Sequence, residues 1–355
     1  MRRKSPVFLK ILWSPMILTL LWAPGSYGVS SHPVDFSRGR WQVITQTSGF
    51  FATGNYSNDG FLTPLYQTDL FRTYHITGGL RVDTSSRLSL YSLMDFAYSE
   101  SLSQNIGRRE SNINELRLGS DYLFIRGRTL ELLIRFEGVI PFLQYPLDTD
   151  DVFLGEGAYQ FLSEFQLQGE MPWVLLYLRL GFLYRSQGLA SLMPWGLGLR
   201  RDFGPVRLSA ELYGFETAID DQYAQSPTVR TVINERVNGG SYYYNAINPA
   251  LMAFGVQLEY FWTQAFAISL AYNSTINGYR SAAGQELLFG MTFKAGDRQG
   301  VGSSPVRRQR GQHHNGFTPE SLLDPTDQQL FDGTPDTTEE DLKNAEETME
   351  RRYRN

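Results

Sequence analysis

The sequence predicts an all-β fold: a closed antiparallel transmembrane β-barrel of about 12 strands, followed by a polar tail. Three observations lead there. Segments of alternating apolar and polar residues recur about a dozen times between positions 41 and 294. Every second connection between them is four residues long, whereas the others are mostly longer and polar. Beyond the N-terminus, no apolar run approaches the roughly 20 residues a membrane helix needs. The nearest, WVLLYLRLGFL at 173–183, is interrupted by Arg179. If this chain enters a membrane, strands must carry it.

The first element is a targeting segment. Arg2, Arg3 and Lys4 precede an apolar stretch from Ile11 to Ala23, and Ser26 and Gly28 are small residues at −3 and −1 of a cleavage after Gly28. That arrangement predicts a signal peptide over 1–28 on the ordinary secretory route. Pro15 argues against a permanent membrane helix. A short N-terminal segment, 29–40, leads into the barrel.

Strands are expected near 41–52, 68–82, 87–100, 113–125, 130–140, 156–168, 173–186, 192–201, 206–217, 247–260, 265–276 and 284–294. Each is about the length of a tilted spanning strand. The short turns are DTSS at 83–86, RGRT at 126–129, GEMP at 169–172, DFGP at 202–205 and FWTQ at 261–264. The opposite connections are 53–67, 101–112, 141–155, 187–191, 218–246 and 277–283. Tight turns at one end and longer loops at the other define an outer-membrane barrel, with the tight turns periplasmic. A soluble sandwich has no reason to segregate its loops this way.

The hairpin ELRLGSDYLFIRGRTLELLIRFEGV, 115–139, shows the two faces. Leu116, Leu118, Tyr122 and Phe124 share a face with Leu130, Leu132, Ile134 and Phe136; the other faces carry Glu115, Arg117, Asp121, Glu131, Arg135 and Glu137. In lipid every backbone amide must be paired without water, so the sheet closes and its apolar face turns outward. The charged face then lines the lumen. Register around RGRT places Arg117 opposite Glu137 and Arg135 diagonal to Asp121. Trp41, Trp173 and Trp262 fall at the short-turn end, where indoles suit a lipid interface.

The last strand, LLFGMTFKA at 287–295, places Leu287, Phe289, Met291 and Phe293 on one face. Here the chain resembles Gram-negative outer-membrane β-barrel proteins, whose final strand carries a glycine and alternating aromatics as an assembly signal. Gly290 and Phe293 match that spacing, and Ala295 stands where another aromatic is expected. The resemblance covers roughly 41–294. It implies an outer-membrane location after secretion to the periplasm, surroundings of lipid and lipopolysaccharide, and insertion by the barrel assembly machinery.

The tail, 295–355, changes character. RRQRGQHHNG at 307–316 is basic, and ten acids between 317 and 347 face one base, Lys343. Such a segment buries too little apolar surface to offset its ordering entropy, so a mostly disordered periplasmic tail is expected. A short helix is predicted near 338–354, with Thr337 and Glu340 as a capping box and Leu342, Ala345, Met349 and Tyr353 as its stripe. This helix is a candidate dock for a periplasmic partner.

Composition excludes several functions. Mean hydropathy of −0.29 is too polar for a helical membrane bundle. A net charge of −5 argues against nucleic-acid binding, and the absence of cysteine removes disulfides, thiolate metal sites and lipid attachment. No phosphate loop, nucleophile elbow or HExxH is present. His75, the one histidine in the barrel, points inward by parity with Phe71, Thr73, Thr77 and Arg81, so no catalytic constellation is expected. The loop acids Asp148, Asp150 and Asp151 read as solvated charge. No cofactor is implied.

What remains is the lumen. Parity turns inward His75, Arg81, Asp95, Arg117, Asp121, Arg135, Glu137, Glu164, Arg179, Arg185, Arg200, Glu211 and Glu259, with Glu115, Glu131, Arg207 and Glu286 beside them. That is seven arginines against nine acids, nearly balanced. Two arrangements follow: the charges line an aqueous path for small polar solutes, or they pair and close it. The first makes the protein a passive channel or transport barrel, and the second a non-conducting structural or adhesive barrel; a hydrolase of envelope lipid is the third and lesser alternative. The Tyr-rich loop 218–246 is either a partner surface or a constriction folded into the lumen.

Overall fold

The structure, a computed structural model, describes residues 36 and 38–296 apart from 104 and 128. The predicted signal peptide, most of the N-terminal segment, the tail beyond 296 and the helix predicted near 338–354 lie outside the described residues. Thirteen strands run in chain order: β1 (Trp41–Tyr56), β2 (Leu62–Pro64), β3 (Leu70–Asp83), β4 (Leu88–Ser103), β5 (Ile106–Arg126), β6 (Leu130–Pro141), β7 (Gln160–Glu170), β8 (Leu175–Arg185), β9 (Ser191–Phe203), β10 (Val206–Ile219), β11 (Ala250–Phe261), β12 (Phe266–Tyr279) and β13 (Ser281–Ala295). A helix, α1 (Thr228–Val237), interrupts the connection between β10 and β11.

Each long strand pairs antiparallel with its sequence neighbour, and β13 closes the ring on β1 from Trp41↔Ala295 to Tyr56↔Ser281. β2 pairs only with the end of β1. Twelve strands about 4.8 Å apart and tilted about 40° enclose a cylinder roughly 24 Å across between opposite backbones.

The two faces separate cleanly. Leu178, Leu180, Phe182 and Tyr184 of β8 are 40–51% exposed on the outside, while Tyr177, Arg179, Leu183 and Arg185 between them are buried inside. The same outward apolar row recurs in β3 to β5 and in β11 to β13. In water such a belt would be an aggregation surface; around a closed cylinder it is a lipid-facing band. Trp41, Trp173 and Trp262 are exposed at the short-turn end.

Three sequence expectations are corrected. The connection 101–112 is not a loop: β4 and β5 continue as a paired ribbon to Ser103↔Ile106 and reverse near Asn105 at φ 70°. The connection 277–283 is likewise strand, except for a turn at Arg280, φ 45°. In the outer part of the first ribbon, 106–112, both faces are largely exposed, and elsewhere the inward residues Ser101, Ser103 and Ser281 are small and polar, so alternation disappears while pairing persists; Glu100, held by Arg72 and Arg109, helps tie the first ribbon together. Third, a β-bulge between Leu123 and Ile125 shifts the hairpin register, so Arg117 opposes Val139 and Gly119 opposes Glu137. Asp121 then faces Arg135 directly. The ladder between β8 and β9 lapses between Leu180↔Trp195 and Leu183↔Leu192, where Pro194 has no N–H to donate.

Candidate functional site: a charged belt beneath a loop seal

The lumen is organised in layers from the short-turn end to the loop end. At the short-turn end, Arg207 reaches Asp202 at 2.8 Å and Glu259 at 3.0 Å, and Arg200 lies 3.7 Å from Asp202.

Above it a belt of alternating charge runs along the wall. Arg40 contacts Asp83 at 2.7 Å, and Arg81 lies 3.6 Å from Asp83 and 2.8 Å from Asp121. Asp121 also accepts from Arg135 at 2.7 Å; Glu164 sits 3.8 Å from Arg135 and 3.0 Å from Arg179; Arg179 reaches Glu211 at 2.6 Å. These are four cations and four anions strung from the start of β1 through β3 and β5–β8 to β10. The pairs run along the wall, some between neighbouring strands and two, Arg81–Asp121 and Arg179–Glu211, across one intervening strand. They do not bridge the lumen.

Two Tyr–Gly pairs brace this belt. Tyr91 opposes Gly119 and Tyr177 opposes Gly198 across the ladder. A Cβ at either glycine would overlap the facing ring, so the glycine lets the tyrosine lie flat on the wall. The Tyr91 hydroxyl then donates to Glu137 at 2.7 Å, and that of Tyr177 points at Glu211 at 3.4 Å.

The opposite wall is different. Gln257, Ser269, Ala271, Asn273, Gly290 and Thr292 of β11 to β13 are small or uncharged. Beside them lies a cavity of about 190 Å³ that extends to Arg40, Lys294 and Glu259 near the short-turn rim. A second cavity of about 150 Å³, lined by Tyr91, Arg117, Glu137 and Glu164, shares Ile44, Arg81 and Arg135 with the first. The belt thus forms one wall of a polar chamber whose other wall is uncharged between Glu259 and Lys294 at the short-turn rim and Glu286 toward the loops.

Above the belt, His75 Nδ1 lies 2.5 Å from Asp95, which also accepts from Thr77 at 2.9 Å and Asn114 at 3.0 Å. Arg117 donates to Glu115 at 2.6 Å. An ionised Asp95 only accepts, so His75 Nδ1 carries a proton. His75 Nε2 meets the Tyr244 hydroxyl at 3.0 Å. Arg185 pairs with Glu156 at 3.0 Å and donates to the Ala190 carbonyl at 2.7 Å.

Tyr244 and Glu156 belong to loops, and these loops shut the loop end. The connection 220–249 starts α1 just after Pro227, a residue suited to a helix start, and ends it at Asn238 before Gly239 and Gly240, whose φ values are positive. Ile233, Val237 and Tyr244 pack with Val152 and Phe153 of the connection 142–159 against Phe50, Phe71 and Ala282 of the wall. This is a hydrophobic core inside the mouth of a barrel.

Hydrogen bonds fix the seal in place. Tyr244 is fully buried, its ring edge-on to Phe71 at 6.1 Å, and its hydroxyl lies 3.1 Å from the Leu154 carbonyl. Burial pushes that hydroxyl well above the usual phenol range, so it stays a donor. Asn245 N–H donates to Glu156, Ser101 donates to the Val237 carbonyl, and Asn55 holds both Gly240 and Tyr242. Asp150, in the acidic loop, lies against Arg108 and Arg236. Sequence reasoning left the role of 218–246 open; the structure folds it inward. The signal was available in its apolar helical positions, Val229, Ile233 and Val237, within an otherwise polar loop.

No family model matches the chain, and no curated protein matches it. Among solved structures, an outer membrane channel from Pseudomonas putida F1 is similar at TM-score 0.53 and 15% identity, over 74% of this chain and 99% of that one. The KdgM porin is similar at TM-score 0.42 and 7% identity, over 71% and 98%. The translocator domain of the autotransporter NalP from Neisseria meningitidis gives 0.41 and 12%, over 74% and 90%. The fold is that of outer-membrane β-barrels.

Proposed function

We propose that the protein is an outer-membrane channel for small polar solutes, with its short-turn end in the periplasm and its loop end closed by a movable seal. One observation carries this reading. The lumen is not filled by its own wall: a polar chamber persists beside the belt, and what closes the barrel is loop, drawn from 142–159 and 220–249. Side chains that fill a small barrel cannot be cleared without unfolding it, whereas a docked loop can leave. The Pseudomonas putida channel shares the fold.

The belt suits the task. Its four arginines and four acids cancel, so it gives little net preference for anion or cation. Its alternating charges set up local fields along one wall of the chamber, against which a dipolar solute orients. Lipid, lipopolysaccharide and the assembly machinery are the partners this location implies, and a periplasmic partner for the acidic tail belongs to the same proposal.

The second reading is a non-conducting structural barrel, favoured by how completely the seal is packed. Planar-bilayer recording in potassium chloride separates the two. The full chain should show brief openings that become sustained when 228–237 is replaced by a short Gly-Ser linker. Silence from both chains, each shown folded by heat-dependent gel mobility, would favour the structural barrel.

A further inference from the structure

One buried acid is not used by the belt. Glu286 of β13 is 7% exposed. Its Oε2 accepts from Asn273 Nδ2 at 2.7 Å, whereas no described residue donates to its Oε1, which is itself buried. An isolated carboxylate held this way is costly unless a donor or a cation meets it.

The surroundings say what could. Glu286 lines a cavity of about 40 Å³ with Phe50, Tyr213, Tyr243, Leu251 and Ala253. Phe50 and Tyr243 stack there at 3.9 Å. By the space one water occupies, this volume takes on the order of three heavy atoms. Aromatic rings beside a single acid favour a compact organic cation: its alkyl part packs on the apolar lining, and the carboxylate accepts its N–H. An anion would meet the acid, and a bare alkali ion would gain little from the apolar walls.

The position is informative too. The cavity shares Tyr213 and Asn273 with the large chamber and so sits directly above it. Phe50, Tyr213 and Glu286 are wall residues, but Tyr243 belongs to the seal.

We infer that the Glu286 pocket is a binding subsite for a small primary ammonium group, reached from the chamber and roofed by the seal. The inference deepens the channel reading by naming a solute class. Because Tyr243 supplies part of the pocket only while the loop is docked, occupancy and loop position are thermodynamically linked, and each biases the other.

The test is saturation-transfer NMR on the full chain in detergent with ethylammonium chloride, and with ethanol, acetate and potassium-matched controls. Ethylammonium should bind saturably, at least 10-fold more tightly than ethanol or acetate. Glu286→Gln, which keeps the shape and can still meet Asn273, should weaken it at least 10-fold. Tyr243→Leu should weaken it several-fold, with fold checked by gel mobility. Equal binding of ethanol, unchanged binding by Glu286→Gln, or no saturable binding would overturn the assignment. No current is measured here, so failure of the subsite and failure of the channel reading are separate results.

Discussion

Tyr244 is the side chain through which the seal is most directly perturbed. Its hydroxyl meets His75 Nε2 and the Leu154 carbonyl, and its ring fills space between Phe71 and Tyr243. Tyr244→Phe removes the hydroxyl and leaves two buried partners, a cost of about 1–3 kcal/mol. Tyr244→Ala also removes a fully buried ring, about 3–5 kcal/mol by analogy with core aromatics. If these groups are held only in the docked state, the losses fall on the docked-to-open equilibrium. At 1.4 kcal/mol per decade, the phenylalanine variant opens roughly 5- to 150-fold more, and the alanine variant upward of about 150-fold. The assay is the open fraction in single-channel recording at fixed voltage, with folding checked by heat-dependent mobility. An alanine variant that is folded yet has the same open fraction as the parent would refute the claim that this loop sets the closed state.

Other outcomes follow from the wall. Asp121→Asn leaves Arg81 and Arg135 with Asp83 and Glu164 as their remaining acids, so it should cost about 1–3 kcal/mol in urea unfolding. It also makes the belt net positive, and the reversal potential in a salt gradient should move toward chloride. Leu178→Arg puts a charge on the outward face and should cost roughly 2–4 kcal/mol in refolding into vesicles; a cost near zero would mean that this face does not meet lipid. Gly119→Val should push Tyr91 off Glu137 and lower the urea midpoint, by about 1–3 kcal/mol in stability.

The barrel was legible because lipid and lumen impose opposite demands on alternate residues, and strand boundaries follow wherever both demands act. Where both faces are exposed, as in 106–112, or the inward residues are small and polar, as Ser101, Ser103 and Ser281 are, the alternation vanished and paired strand read as loop. The bulge at 123–125 left a trace: Phe124 and Ile125 are both exposed, two successive outward apolar residues that strict alternation forbids. Parity named the belt residues Asp121, Arg135, Glu164 and Arg179. The register read Arg135 as a diagonal neighbour of Asp121, one step from the direct facing observed, whereas the links to Arg81, Glu164 and Glu211 depend on the stagger between strands and could not be read. The Glu286 pocket draws on β1, β10, β11, β12, β13 and the seal, so no local stretch of sequence announces it.

In the proposed channel, the chamber opens toward the short turns and is shut toward the loops. Because the chain has no cysteine, a single Ser209→Cys substitution reports on it directly, as Ser209 lines the chamber. Its labelling rate by a small charged thiol reagent is measured from each side of the membrane. The cysteine should react from the short-turn side only, and from both sides once 228–237 is replaced by the linker. Rapid labelling of the intact chain from the loop side, or no labelling from that side after the replacement, would contradict the account.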